Sequence, residues 1–206
     1  LFSLNNIKGI TLKDMTFDNN SNSGSKEAFF ITNCDSVNVT NCRFESKYSS
    51  SSAHKLRIEN STGCSITNND FSYSACIRLI ASSTSIYNTV NITGNINIKG
   101  YEGIYIASIA NATLGGKFII KNNHINGAER PICSNCYTNN NDTLLVTGNT
   151  IDNGLGGTNY SSYFDCSDQD YVVIKENIFN NDNFILVYGY VDSIVGNQIL
   201  NVENKS

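Results

Sequence analysis

Ile66-Thr67-Asn68-Asn69-Asp70-Phe71 is one copy of a phrase that returns along the whole chain. Its form is an apolar residue, Thr or Lys, Asn or Gly, Asn, any residue, then Ile or Phe. Copies begin at Leu12 (LKDMTF), Val39 (VTNCRF), Ile66, Ile92 (ITGNIN), Ile120 (IKNNHI), Val146 (VTGNTI), Ile174 (IKENIF) and Ile194 (IVGNQI). The starts are separated by 27, 27, 26, 28, 26, 28 and 20 residues. A recurring period of this size marks a stacked-repeat architecture, in which no unit can bury its apolar face alone.

The apolar residues say what kind of unit is stacked. They alternate: Val37, Val39, then Phe44 after a polar break; Cys64, Ile66, then Phe71; Leu144, Val146, then Ile151. Period two is a strand with one buried face, whereas a helix would show three- and four-residue spacing. The break is rich in Asn and Gly, which accept the left-handed backbone of a tight corner.

Each repeat carries a second strand with an apolar, outward, apolar reading: Phe29-Phe30-Ile31, Leu56-Arg57-Ile58, Ile77-Arg78-Leu79, Ile104-Tyr105-Ile106, Ile132-Cys133-Ser134, Phe164-Asp165-Cys166 and Ile185-Leu186-Val187. One repeat is therefore about one coil of strands and corners. A corner Asn recurs at 69, 95, 123, 149, 177 and 197, with Cys42 and Met15 in its place earlier. Stacked Asn side chains can hydrogen-bond along such a column. The ladder should weaken at Cys42 and Met15. A leucine-rich solenoid would need regular Leu and a helix, and a β-sandwich would lack the recurring phrase.

The fold class read from this pattern is all-β: a single parallel β-helix domain over residues 1–206, of about eight coils. It resembles the right-handed parallel β-helix of the pectate-lyase-like superfamily, as in bacteriophage tailspikes and polysaccharide lyases, over essentially the whole chain. The right hand follows from that resemblance and from the usual hand of parallel crossovers. The resemblance implies a carbohydrate-directed protein, extracellular, on a cell surface or on a virion. Tailspike similarity suggests a homotrimer. The abrupt, uncapped ends read as a segment of a longer chain, or as ends met by other chains, because bare strand edges invite association.

Composition narrows the partners. The chain has 33 Asn and one Pro, and charged residues make up 16%, so Asn, Ser and Thr carry surface polarity. A net charge of −4 with no Lys/Arg cluster argues against nucleic acid. Membrane insertion is not expected, since the apolar run from Phe184 to Val191 is too short to span. Seven cysteines are an odd number, read as small buried hydrophobes rather than as a disulfide framework. Cys133-x-x-Cys136 has zinc-knuckle spacing but no second pair, so neither metal nor cofactor is expected. Sequons at Asn38, Asn60, Asn91, Asn111 and Asn141 read as a product of Asn- and Thr-rich composition.

Function should lie where the repeat is irregular. Aligning the second strands places Phe30, Arg57, Arg78, Tyr105, Cys133, Asp165 and Leu186 in one outward column. A neighbouring column holds Glu27, His54, Ala75, Glu102, Arg130, Ser162 and Asn183. Strands about 4.8 Å apart would gather these into a shallow patch. In an acidic-polysaccharide groove Arg57, Arg78 and Arg130 would grip carboxylates. Tyr101 and Tyr105 would stack on sugars, and Asp165 would add a polar contact. His54, Glu102 or Glu129 would supply acid–base catalysis if the glycan is cleaved. Arg57 and Arg78 should repel unless a ligand, Glu59 or Glu102 offsets them. The alternative is a solvated, self-neutralising surface on a non-catalytic shaft.

Polygalacturonase signatures are missing. The HKLRIENS and CIRLIASS stretches keep Lys55 and Arg78 of a chondroitinase-like arrangement but lack its His-Gly. A second acidic set is Asp152, Asp165 and Asp168, around the Gly-rich stretch GLGGTNYSSYFD. Carboxylates about 5–9 Å apart could hydrolyse glycosides.

Overall fold

The computed structural model describes residues 2–19, 29–46, 56–72, 76–82, 85–108, 114–135, 143–152, 162–166, 171–180 and 185–200. They form an all-β parallel solenoid without a helix. One sheet takes a strand from every copy of the phrase: Lys8–Lys13, Asp35–Thr40, Gly63–Thr67, Ser85–Thr93, Leu114–Lys121, Thr143–Thr147, Tyr171–Lys175 and Ser193–Val195. Neighbours are parallel throughout. The register pairs Leu12 with Val39, Val39 with Ile66, Ile66 with Ile92, and so on to Ile174 with Ile194. The sequence alignment of the phrase is thus the hydrogen-bonding register.

A second sheet stacks Phe2–Asn5, Phe29–Thr32, Leu56–Glu59, Ile77–Ala81, Ile98–Ser108 and His124–Asn135. It continues from the start of His124–Asn135 through Thr150–Asp152, Ile178–Asn180 and Gln198–Leu200. From the end of the same strand it branches through Ser162–Cys166 and Ile185–Gly189. A short third sheet joins Thr16–Asn19, Arg43–Ser46 and Asp70–Ser72.

Between the sheets runs one continuous core. Val37, Val39, Ile66, Ile92, Ile120, Val146 and Ile174 are buried while their alternate neighbours face out. The last residue of the phrase stacks as well, with Phe17 on Phe44 at 5.0 Å and Phe44 on Phe71 at 4.8 Å. Cys34, Cys42, Cys64 and Cys76 are buried, as expected of small hydrophobes. Burial pushes the Cys42 and Cys64 thiols up, away from thiolate chemistry.

The corner explains why the phrase recurs. Its third residue is left-handed in every copy: Asp14, Asn41, Asn68, Gly94, Asn122, Gly148, Glu176 and Gly196, with φ from 52 to 67°. The next residue turns inward and forms the Asn ladder. Asn69, Asn95, Asn123, Asn149 and Asn177 are at most 1% exposed. Each donates from Nδ2 to the next Asn Oδ1 at 2.9–3.0 Å and to a backbone carbonyl of the preceding repeat. Each Oδ1 accepts in return, so buried amides that would otherwise be costly are fully satisfied. The expected weakening also appears. Cys42 still gives its backbone N–H to Asn69 Oδ1, but its thiol turns to the Leu12 and Thr40 carbonyls, and Met15 is exposed.

Candidate functional site

The arginine column forms as the alternation requires. In four adjacent parallel strands the register aligns Phe30 with Arg57, Arg57 with Arg78, and Arg78 with Tyr105. The inward neighbours Phe29, Ile31, Leu56, Ile58, Ile77, Leu79, Ile104 and Ile106 are fully buried, which holds the four side chains on the outer face. Arg57 lies over the Phe30 ring, 5.1 Å from its centroid, and Arg78 lies over the Tyr105 ring at 4.8 Å. Two guanidinium groups are therefore flanked by two aromatic faces. Such contacts are worth about 0.5–2 kcal/mol each.

Glu59 settles the repulsion between the two arginines. Its Oε2 accepts from Arg57 Nη2 at 2.6 Å, and its Oε1 is held by the Ser82 hydroxyl. The Arg57 and Glu59 side chains are 22% and 11% exposed. One step along, Ile80 and Ala107 alternate onto the outer face yet are 0% exposed, so that part of the face is covered. Arg57 is neutralised within its own strand, and one flank of the column is closed.

The other residues expected here fare differently. His54 lies outside the described residues, as do Asp168 and most of the Gly-rich stretch. Tyr101, Glu129, Arg130 and Asp165 lie in strands whose backbone is described but whose side chains there are not. Glu102 is half-buried and pairs in register with Arg130, as the alignment required. Asp165 needs a correction. Cys133 pairs with Tyr163, and Asp165 pairs with Asn135, two positions further on. Tyr163 therefore occupies the arginine column, and Asp165 sits about 6.6 Å along the strand. The apolar triplet misled because its first residue, Phe164, aligns with Ser134, the last residue of the Ile132-Cys133-Ser134 triplet, and not with Ile132.

Asp152 and Asp165 do not form a carboxylate pair either. Asp152 pairs with Asn126, and Asp165 with Asn135, nine residues away on the same strand. At about 3.3 Å per residue this is far beyond the 5–9 Å that glycoside hydrolysis needs.

Asp152 has a different partner, which sequence reasoning missed. His124 Nε2 lies 2.6 Å from Asp152 Oδ2, and Asn180 Nδ2 donates to Asp152 Oδ1 at 2.6 Å. Three successive repeats meet at this carboxylate. Partial burial works to raise the Asp152 carboxyl, but the hydrogen bonds from His124 and Asn180, together with the His124 charge, hold it below its ordinary value. The same outer stripe continues into earlier repeats. Asn97 donates to Asp70 at 2.8 Å, and Arg43 reaches Glu45 at 2.7 Å and Asp70 at 3.9 Å. The stripe was legible in principle. It is the fifth and seventh positions counted from the phrase start, shifted to the sixth and eighth (Asn97 and Lys99) in the Ile92 copy, one face beyond the Asn column.

Comparison with family models, curated proteins and solved structures gives no match. Among the described residues no group of three or more His, Cys, Asp or Glu could hold a metal ion, and no helix is long and apolar enough to cross a membrane. Chemically, the solenoid presents two distinct surfaces. One is an arginine–aromatic column suited to carboxylates and sugar faces. The other is a polar stripe with an oriented imidazole.

Proposed function

We propose that this chain is a carbohydrate-directed β-solenoid of the pectate-lyase-like type, which binds an acidic surface polysaccharide along its outer strands. Its setting would be extracellular, on a cell surface or on a virion. The observation that carries the reading is the Phe30–Arg57–Arg78–Tyr105 column. Stacked guanidinium groups between aromatic faces, repeated at strand spacing, match a polymer of planar carboxylates on sugar rings. Arg78, which stacks on the Tyr105 ring, is the residue chosen to test the column. His54, Glu102 and Glu129 stay the proposed acid–base residues if the polymer is cleaved.

The test is a panel of acidic polysaccharides offered to wild type and Arg78→Ala. Binding is read by affinity electrophoresis, and cleavage by reducing ends and unsaturated-product absorbance. Binding that Arg78→Ala weakens supports the reading, and no retention of any acidic glycan by the wild type removes it.

A second reading is a non-catalytic structural or adhesive shaft. The Arg57–Glu59 pair and the covered outer positions at Ile80 and Ala107 favour it. Here Arg57→Ala would cost about 2–3 kcal/mol, because Glu59 would be left buried with half its partners. Glycan retention by Arg78→Ala would equal that of the wild type.

A further inference from the structure

We propose a second site, centred on His124, that binds a hydroxyl group of an uncharged polyol such as a neutral sugar. It lies apart from the arginine column. His124 starts the strand His124–Asn135, and Cys133, nine residues later, marks the column position. The proposal does not rest on acidic-glycan binding.

Asp152 is the fixed point of this site. Both its oxygens are engaged, one by His124 and one by Asn180, so the carboxylate is fixed in place. It is held ionised by those same bonds. With Nε2 engaged by that carboxylate, Nδ1 is the ring atom left to meet a ligand hydroxyl, a group that can donate to a ring lone pair or accept from a ring N–H. The imidazole is 38% exposed and, among the described residues, Nδ1 makes no hydrogen bond. Two positions along the same strand face, the half-buried Asn126 amide also makes no side-chain hydrogen bond to a described residue. Residues at this spacing lie about 6.6 Å apart, close to the span of one sugar ring. One ring nitrogen of fixed orientation and one amide that donates and accepts are thus offered side by side.

Charge selects the class of ligand. The stripe carries Asp18, Glu45, Asp70 and Asp152 against Arg43 and Lys99. A polyanion would meet this surplus of carboxylates, whereas a neutral polyol would not. As a mere brace, the exposed His124–Asp152 pair would be worth only about 0–1 kcal/mol.

The chain has two histidines, so long-range proton–nitrogen spectra can be assigned with one His54→Ala variant. Wild-type protein is titrated at neutral pH with malto-, manno- and xylo-hexaose, and in a parallel arm with oligouronates. The expected result is a shift of the His124 Nδ1 resonance with a neutral oligosaccharide. His124→Gln is the discriminating variant. Its amide can still donate to Asp152 but carries no ring nitrogen at the Nδ1 position. It should keep the thermal midpoint and lose about tenfold in affinity, the equivalent of roughly 1.4 kcal/mol. No shift with any neutral oligosaccharide, a shift with oligouronates alone, or wild-type affinity in His124→Gln would each overturn the proposal.

Discussion

Replacing Asn123 with alanine should be among the most damaging single changes in this protein, although it removes only one amide. Asn123 is 1% exposed and makes four side-chain hydrogen bonds. Its Nδ2 donates to Ile92 O at 2.8 Å and Asn149 Oδ1 at 3.0 Å, and its Oδ1 accepts from Asn95 N at 3.0 Å and Asn95 Nδ2 at 2.9 Å. Asn149 Oδ1 would keep the backbone N–H of residue 123. Asn95 N, one Asn95 Nδ2 proton and Ile92 O would be left buried without these partners. At about 1–3 kcal/mol for each of these three buried groups, the cost comes to roughly 3–9 kcal/mol. That is a large part of the stability of a typical domain. The matched control is Asn197→Ala. Asn197 accepts from Asn177 in the same way, but those bonds are only part-buried, so water replaces the lost partners. Its cost should stay near 1 kcal/mol or below. Both variants are unfolded in urea and followed by far-ultraviolet circular dichroism, comparing midpoints at constant slope. Equal, small shifts for both variants would refute the ladder argument, because burial would then make no difference to the bonds.

Three further outcomes follow from the corner and the stripe. Gly94→Ala places a Cβ 2.4 Å from Asn68 Oδ1 at a φ of +66°. It should cost about 2 kcal/mol or more by urea midpoint, with the steric part recovered when Asn68→Gly is added to the same chain. Glu176 holds the same corner at φ 56° where other copies have Gly. Glu176→Gly should therefore raise the thermal midpoint by a few degrees, for a net gain of up to about 1 kcal/mol after the entropy cost of Gly. For Asp152 the folded pKa lies below the unfolded one, near 3.9, so its contribution is complete above that value and is lost as pH falls through the folded pKa. Wild type should be more stable than Asp152→Asn at neutral pH. The gap should close in acid below about pH 4, as read from paired melts across pH.

The phrase determined this fold because one short pattern answers three local demands at once. Alternation buries a strand face, a left-handed third residue turns the corner, and an Asn behind it satisfies the turn's buried polar groups. Those demands repeat in every copy, so aligning ITNNDF with its relatives also aligned the hydrogen-bonded register, and Arg57 was correctly placed beside Arg78. Where a strand leaves the pattern, alignment fails, as at Ser162–Cys166, where the register pairs Phe164 with Ser134 and so sets Asp165 two places further on. Which charged side chains pair was likewise decided in three dimensions. Glu59 neutralises Arg57 within its own strand. His124 reaches Asp152 diagonally across repeats 28 residues apart, and Asn180 completes the carboxylate from another 28 residues on. Periodicity specifies which face a residue occupies. The reach of a side chain along that face, and what covers it, depend on neighbours brought together only when the coils stack.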